Sequence, residues 1–216
     1  MALSIHEFTP GTSHVLTGGM KGFKTATLLS TYTQLKYANK KVQLLKPECD
    51  YRPKLHEKFG YPRNYMVSRT GFGVPAVEFD DKNPEDLLYK IKQDTEIAVI
   101  GEATLVDQPN ELIEIVLHLL GDGKSLLVDG LDKNFRGEPY HPMPTLMAYA
   151  TSVTKLYGIC DIEECSQRGE YPQKFIDGKP ANYNTDIKEV GDNYEIRCLK
   201  HHEVPGKPES LVSLLK

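Results

Sequence analysis

Four short runs constrain this chain more than anything else in it: residues 14–17, 42–46, 97–100 and 126–128 are largely apolar, without polar alternation. Strands buried on both faces read in this continuous way. Stretches at helical spacing separate them. Residues 25–38 carry Leu28, Leu29, Tyr32, Leu35 and Tyr37, and residues 111–120 carry Leu112, Ile113, Val116, Leu119 and Leu120 ahead of Gly121 and Gly123. The pattern predicts an α/β fold: a buried parallel sheet with crossover helices. In such sheets ligands sit beyond the carboxyl ends of the strands. Loops 17–25, 47–52, 101–107 and 129–143 are therefore where chemistry is expected.

The chain has 216 residues, 39% apolar and 26% charged, which suits one ordinary domain with a core plus a small appendage. From residue 153 onward periodic helices give way to Cys, Gly, Pro, Tyr and Asn. The division expected is a domain over 1–153 and a smaller one over 154–216, the latter needing a staple. Of four cysteines, Cys160, Cys165 and Cys198 fall in the last third beside histidines, which favours a metal over a disulfide. No run approaches the ~20 apolar residues of a membrane span. The N-terminus lacks the features of a secretory signal, so a cytoplasmic location is expected. The net charge of −4, with scattered Lys and Arg, gives no sign of a polyanion-binding face, so nucleic acid is not an expected partner, and without an apolar span neither is a membrane. Past His202, Pro205, Gly206 and Pro208 read as a loosely ordered tail.

Between the first strand and its helix lies Gly18-Gly19-Met20-Lys21-Gly22-Phe23-Lys24-Thr25. The phosphate-binding loop pattern is G-x-x-x-x-G-K-[ST]: backbone N–H groups wrap phosphates, the lysine reaches the outer ones and the hydroxyl holds Mg²⁺. Gly18, Lys24 and Thr25 fit it, while Phe23 stands where the second glycine belongs and Gly22 lies one place early.

The run Gly130-Leu131-Asp132-Lys133-Asn134-Phe135-Arg136-Gly137-Glu138-Pro139 is followed by Pro142-Met143-Pro144 and Val153-Thr154-Lys155-Leu156. Together with Asp177-Gly178-Lys179-Pro180-Ala181 and Tyr194-Glu195-Ile196-Arg197-Cys198, it closely resembles the type II, zinc-containing thymidine kinases, in order and spacing over nearly the whole chain. The resemblance implies a RecA-like P-loop sheet with helices on both faces and a small C-terminal zinc-binding lasso domain that closes over the nucleoside. It implies ATP-dependent phosphorylation of thymidine, or a related deoxynucleoside, to the 5′-monophosphate for DNA synthesis. Mg²⁺ would accompany ATP, zinc would be structural, and a homotetramer is the family's common state.

Carried over residue by residue, Glu102 falls on the family's general base, Lys24 on the phosphate clamp, and Asp50 and Arg52 on the acid and arginine beside the phosphates. Phosphate contacts map to Gly18, Gly19, Met20, Lys21, Gly22, Phe23, Lys24 and Thr25, with Thr25 also on Mg²⁺. The nucleoside pocket maps to Met20, Leu105, Phe135, Tyr140, Ile187 and Tyr194. The resemblance assigns zinc to Cys160, Cys165, Cys198 and His201, with His202 as the alternative fourth ligand and Cys49 left structural. Departures cluster at the ligand contacts: Phe23 for glycine, Gly101 for the aspartate that helps hold Mg²⁺, Thr104 and Leu105 for Gln and Phe, and Arg69-Thr70 for His-Asp. A second reading therefore stands beside the enzyme, a catalytically impaired relative that binds a nucleoside or nucleotide in a regulatory or interaction role.

Overall fold

The computed structural model describes residues 4–188 and 193–209. The first strand, β1 (Ser13–Gly18), runs into the glycine-rich loop and helix α1 (Lys24–Tyr37). Then come β2 (Val42–Pro47), α2 (Pro53–Phe59), a small antiparallel pair β3 (Tyr65–Val67) and β4 (Gly73–Pro75), β5 (Val77–Phe79) and the short α3 (Asp86–Lys90). The body continues through β6 (Ile97–Ile100), α4 (Pro109–Gly121), β7 (Ser125–Asp129), α5 (Met143–Tyr149) and β8 (Ser152–Leu156). Six of these strands form one sheet in the order β5-β2-β6-β7-β1-β8, every pairing parallel.

Alternate residues of the same strands feed two separate cores. Val15, Leu45, Ala98, Ile100, Leu126 and Val128 pack with α4 residues Leu112, Val116 and Leu119 and α5 residues Met143 and Leu146. Leu16, Leu44, Ile97, Val99 and Leu127 pack with Leu28, Leu29 and Leu35 of α1. Helices thus cover both faces, which is why the strands read as continuous apolar runs rather than alternating ones. The expected three-layer α/β body is the one observed. The strand β8 crosses the expected 153/154 division and pairs with β1 from Ser152 to Leu156, so the main sheet extends to Leu156.

After it the elements are small: β9 (Gly158–Ile159) with β10 (Arg168–Gly169), and β11 (Tyr171–Ile176) between β12 (Lys179–Pro180) and β13 (Tyr194–Arg197). The expected loose tail is instead tied down as far as it is described. The Glu203 N–H donates to Gln173 Oε1 at 2.8 Å, and the Tyr183 N–H donates to the Pro205 carbonyl at 2.8 Å. Residues 189–192 of the expected lasso lie outside the described residues.

Candidate active site

A cavity of about 390 Å³ opens at the carboxyl ends of β1 and β6, within the ~300–1,000 Å³ usual for small-molecule sites. Met20, Lys21, Phe23, Lys24 and Thr25 wall it on the loop side, with Arg52, Glu102, Thr104 and Leu105 beside them. Phe135, Tyr140, Ile187 and Tyr194 close it from the later part of the chain. All six residues assigned to the nucleoside thus line one space together with the lysine, threonine and glutamate assigned to phosphate and proton transfer. Gly18, Gly19, Gly22 and Asp50 are not among the lining residues.

Phe23 takes a backbone conformation usual for glycine in this loop, the left-handed φ 63°, ψ 17°, and caps α1. Its ring is 64% exposed, so it borders the cavity without filling it. Gly18 has φ +120°, and an added Cβ would meet the Leu156 carbonyl oxygen at 1.8 Å, so here only glycine lets β1 turn beside β8. The buried Lys24 ammonium donates to the Gly19 carbonyl at 2.8 Å.

Across the cavity, Glu102 lies two residues past the end of β6 and has φ 52°, again left-handed. Arg52 Nη2 donates to Glu102 Oε1 at 2.6 Å and forms an ion pair with Asp50 at 3.1 Å. Asp50 therefore stands behind Arg52 and steadies it. Burial pushes the Glu102 carboxyl upward, but Arg52 and Lys24 outweigh it and hold the group below its ordinary value, so it is ionised at neutral pH. The Lys46 ammonium, fully buried, donates to the carbonyls of Asp50, Arg63 and Tyr65 at 2.9, 2.8 and 3.1 Å and so shapes the turn that presents Arg52.

One buried acid here has no counterpart among the expected site residues. Asp129 ends β7, is wholly buried, and its Oδ1 accepts the Glu102 N–H at 2.7 Å. Burial first, then the negative charge of Glu102, pushes its carboxyl up to about 7. The sequence signal was faint: a single acid closing an apolar strand run just before Gly130.

The second unit brings Cys160, Cys165, Cys198 and His201 together, their ligand atoms all within 4.8 Å of one another. His201 Nδ1 lies 3.5 Å from Cys160 Sγ and 3.4 Å from Cys198 Sγ. Burial opposes ionisation of Cys160, yet the N–H groups of Ile162 and Cys198 bring its thiol down to about 6. Three sulfurs and one imidazole nitrogen converging this closely could hold a metal ion, and they match the donor set that tetrahedral structural zinc sites use. His202 is excluded as the fourth ligand, because its Nε2 pairs with the Phe135 carbonyl at 2.8 Å.

The thymidine kinase family model matches residues 11–202. The chain belongs to the thymidine kinase family. It is 37% identical over 203 residues to a thymidine kinase of Coprothermobacter proteolyticus, covering 93% of this chain and 95% of that one. It is 36% identical over 202 residues to the thymidine kinase of Ureaplasma urealyticum serovar 10, covering 92% and 85%. The same identity holds over 204 residues to the thymidine kinase of Ureaplasma parvum serovar 3.

Side-chain contacts tie the segment ahead of residues 189–192 to the body. Lys188 forms ion pairs with Asp107 at 2.5 Å and Asp81 at 3.3 Å. Arg136 donates to the Thr185 carbonyl at 3.1 Å and stacks over Tyr183 at 4.6 Å. Tyr183 in turn donates to Glu138 at 3.0 Å. Arg69, read as a departure, lines the cavity with Ser68 and Thr70 and adds positive potential near Glu102. Among the described residues no helix is long and apolar enough to cross a membrane.

Proposed function

We propose that this chain phosphorylates thymidine, or a closely related deoxynucleoside, to its 5′-monophosphate at the expense of ATP, for nucleotide salvage. The observation that carries the reading is one cavity shared by an ionised Glu102, the loop pair Lys24 and Thr25, and the aromatic wall of Phe135, Tyr140 and Tyr194. Phosphoryl transfer rests on positioning and charge neutralisation, and these side chains supply both. Glu102 accepts the proton of the sugar 5′-hydroxyl as its oxygen bonds to the γ-phosphorus. The bond from that phosphorus to the β–γ bridging oxygen breaks, and ADP leaves.

In this scheme Lys24 and Arg52 stabilise the charge spread over the transferring group, with Asp50 holding Arg52 in place. Backbone N–H groups of the loop from Gly18 to Thr25 cradle the phosphates. Met20, Leu105 and Ile187 join the aromatic residues around the nucleoside. Thr25, which lines the cavity beside Lys24, would hold Mg²⁺ with ATP, and the ion would neutralise phosphate charge. Zinc in the Cys160, Cys165, Cys198 and His201 cluster would be structural, fixing the unit that follows the main sheet over the nucleoside. A homotetramer and a cytoplasmic location complete the reading.

The impaired-binder reading rests on Phe23 and Gly101, together with Thr104, Leu105, Arg69 and Thr70. An outward ring at position 23 and a cavity still open at the loop favour the enzyme. The test is coupled ADP release with thymidine, deoxyuridine and other deoxynucleosides. Thymidine-dependent turnover that falls about 10²–10⁴-fold in Glu102→Gln is expected. Nucleoside binding without turnover in the unaltered protein would end the proposal.

A further inference from the structure

The missing side chain at position 101 leaves a trace in the packing. A Cβ built on Gly101 would lie 2.0 Å from Met66 Cε and 3.5 Å from Asp129 Oδ1. The space into which a residue at the end of β6 would project is therefore shared by a methionine and by a carboxylate from the neighbouring strand. β6 and β7 pair in register, Ile100 beside Val128, so the residues that follow them, Gly101 and Asp129, come side by side at the same end of the sheet.

Asp129 is poorly suited to a purely structural role. Its side chain is wholly buried, and its Oδ2 has no hydrogen-bond partner. A buried carboxylate oxygen left unsatisfied opposes folding rather than aiding it. Its other oxygen, Oδ1, holds one group, the Glu102 N–H at 2.7 Å. Glu102 needs holding, because φ 52° is a conformation that side chains other than glycine and asparagine seldom adopt. An extended or helical residue there would turn the carboxylate away from Arg52.

We propose that Asp129 is a positioning residue for phosphoryl transfer: by accepting the Glu102 N–H it locks the glutamate in the left-handed pose that presents its carboxylate to Arg52 and the cavity. The inference rests on the kinase reading given above. A side chain from β7 thus supports the end of β6, where β6 itself carries none. The surrounding charges permit this: Lys24 faces the pair and offsets the second negative charge.

Two substitutions separate the hydrogen bond from the charge. Asp129→Ala removes the acceptor, whereas Asp129→Asn keeps an oxygen in the same place without the charge. Asp129→Ala is expected to lower kcat about a hundredfold, with the thymidine KM within about threefold, a split that loss of a general base position produces. Asp129→Asn is expected to recover most of that loss. A second readout needs no turnover: amide hydrogen exchange at Glu102 should accelerate at least tenfold in the alanine variant and not in the asparagine variant, with both melting within a few degrees of the unaltered protein. Equal kcat losses in the two variants, or exchange at Glu102 unchanged in Asp129→Ala, would overturn the positioning role. Should the alanine variant not fold, Asp129→Val removes the acceptor while keeping volume, and the same two outcomes apply. An unaltered protein with no turnover would end the kinase reading while the exchange measurement still decides whether Asp129 holds Glu102.

Discussion

Two apolar cores flank the main sheet, yet among the described residues neither takes in one beyond Ala150. After Leu156 the described buried apolar side chains are few: Cys160, Pro172, Ala181, Ile196 and Cys198. Two of these are cysteines of the metal-type cluster. Buried polar groups take the place of a core there, with Gln173 bonded to Glu203 and Lys174 donating to the Asp186 carbonyl at 2.9 Å. One region thus draws its stability from area removed from water, which is non-directional and tolerant of small changes. The other depends on a few directional contacts, each of which matters. The cavity lies between them, with Lys24, Thr25 and Glu102 on the first and Ile187 and Tyr194 on the second.

Removing the metal should break this comparison most sharply. A structural zinc site in a small unit contributes about 10–16 kcal/mol of apparent binding free energy, which is folding free energy for that unit. Chelation, or Cys160→Ser, is expected to unfold the region after Leu156, expose it to proteolysis and abolish thymidine phosphorylation. The sheet body, with its own cores, should stay folded. Limited proteolysis with elemental analysis checks this: a protected fragment ending near Leu156 is expected, and a chelated protein that stays whole and active would show that the second region needs no metal.

The same contrast explains what could be read in advance. The body was legible because burial on both faces leaves continuous apolar runs, as in 97–100 and 126–128, and because α4 shows its stripe through Leu112, Val116 and Leu119. The strands β9 to β13 were not, since two- to six-residue pieces such as Arg168–Gly169 have too few positions to show a period. Within the site, side-chain identity was legible and backbone conformation was not. Nothing local announces that Phe23 and Glu102 take positive φ; tertiary contacts impose it, such as the Asp129 carboxylate on the Glu102 N–H. Adjacent His201 and His202 are hard to tell apart by spacing, and the structure separates them by setting His201 Nδ1 beside two sulfurs and His202 Nε2 against the Phe135 carbonyl. Proline and glycine after His202 suggested a loose tail, because composition carries no trace of the Gln173 and Tyr183 bonds that hold it.

A smaller effect sharpens the view of the body as the robust partner. Glu102 has its carboxyl pKa held below the ordinary 4.5, burial being outweighed by Arg52 and Lys24. A depressed pKa contributes stability that is present above the unfolded value and is lost as pH falls through the folded one. Glu102→Gln should therefore lower stability by about 1–2 kcal/mol at pH 7, and the difference from the unaltered protein should shrink below pH 4.5. Melting curves at pH 7 and pH 4 check the sign. A gap that widens on acidification would mean that burial outweighs Arg52 and Lys24 and that the folded-state pKa is raised, not lowered.

The smallest effect expected is at Phe23, and it is a gain. A non-glycine residue in the left-handed region costs roughly 1–2 kcal/mol, and a ring 64% exposed returns little by burial. Phe23→Gly relieves that strain but frees the unfolded chain by about 0.5–1 kcal/mol. The balance is a stabilisation of about 0.5–1 kcal/mol, a rise in Tm of about 1–4 °C for a chain of this size. Because the ring leaves the loop open, ATP affinity should change less than threefold. If Tm falls, the ring is packed against something that matters to the body. If ATP instead binds tenfold more tightly, the ring obstructs the phosphates, and the body carries a penalty at the very loop on which transfer depends.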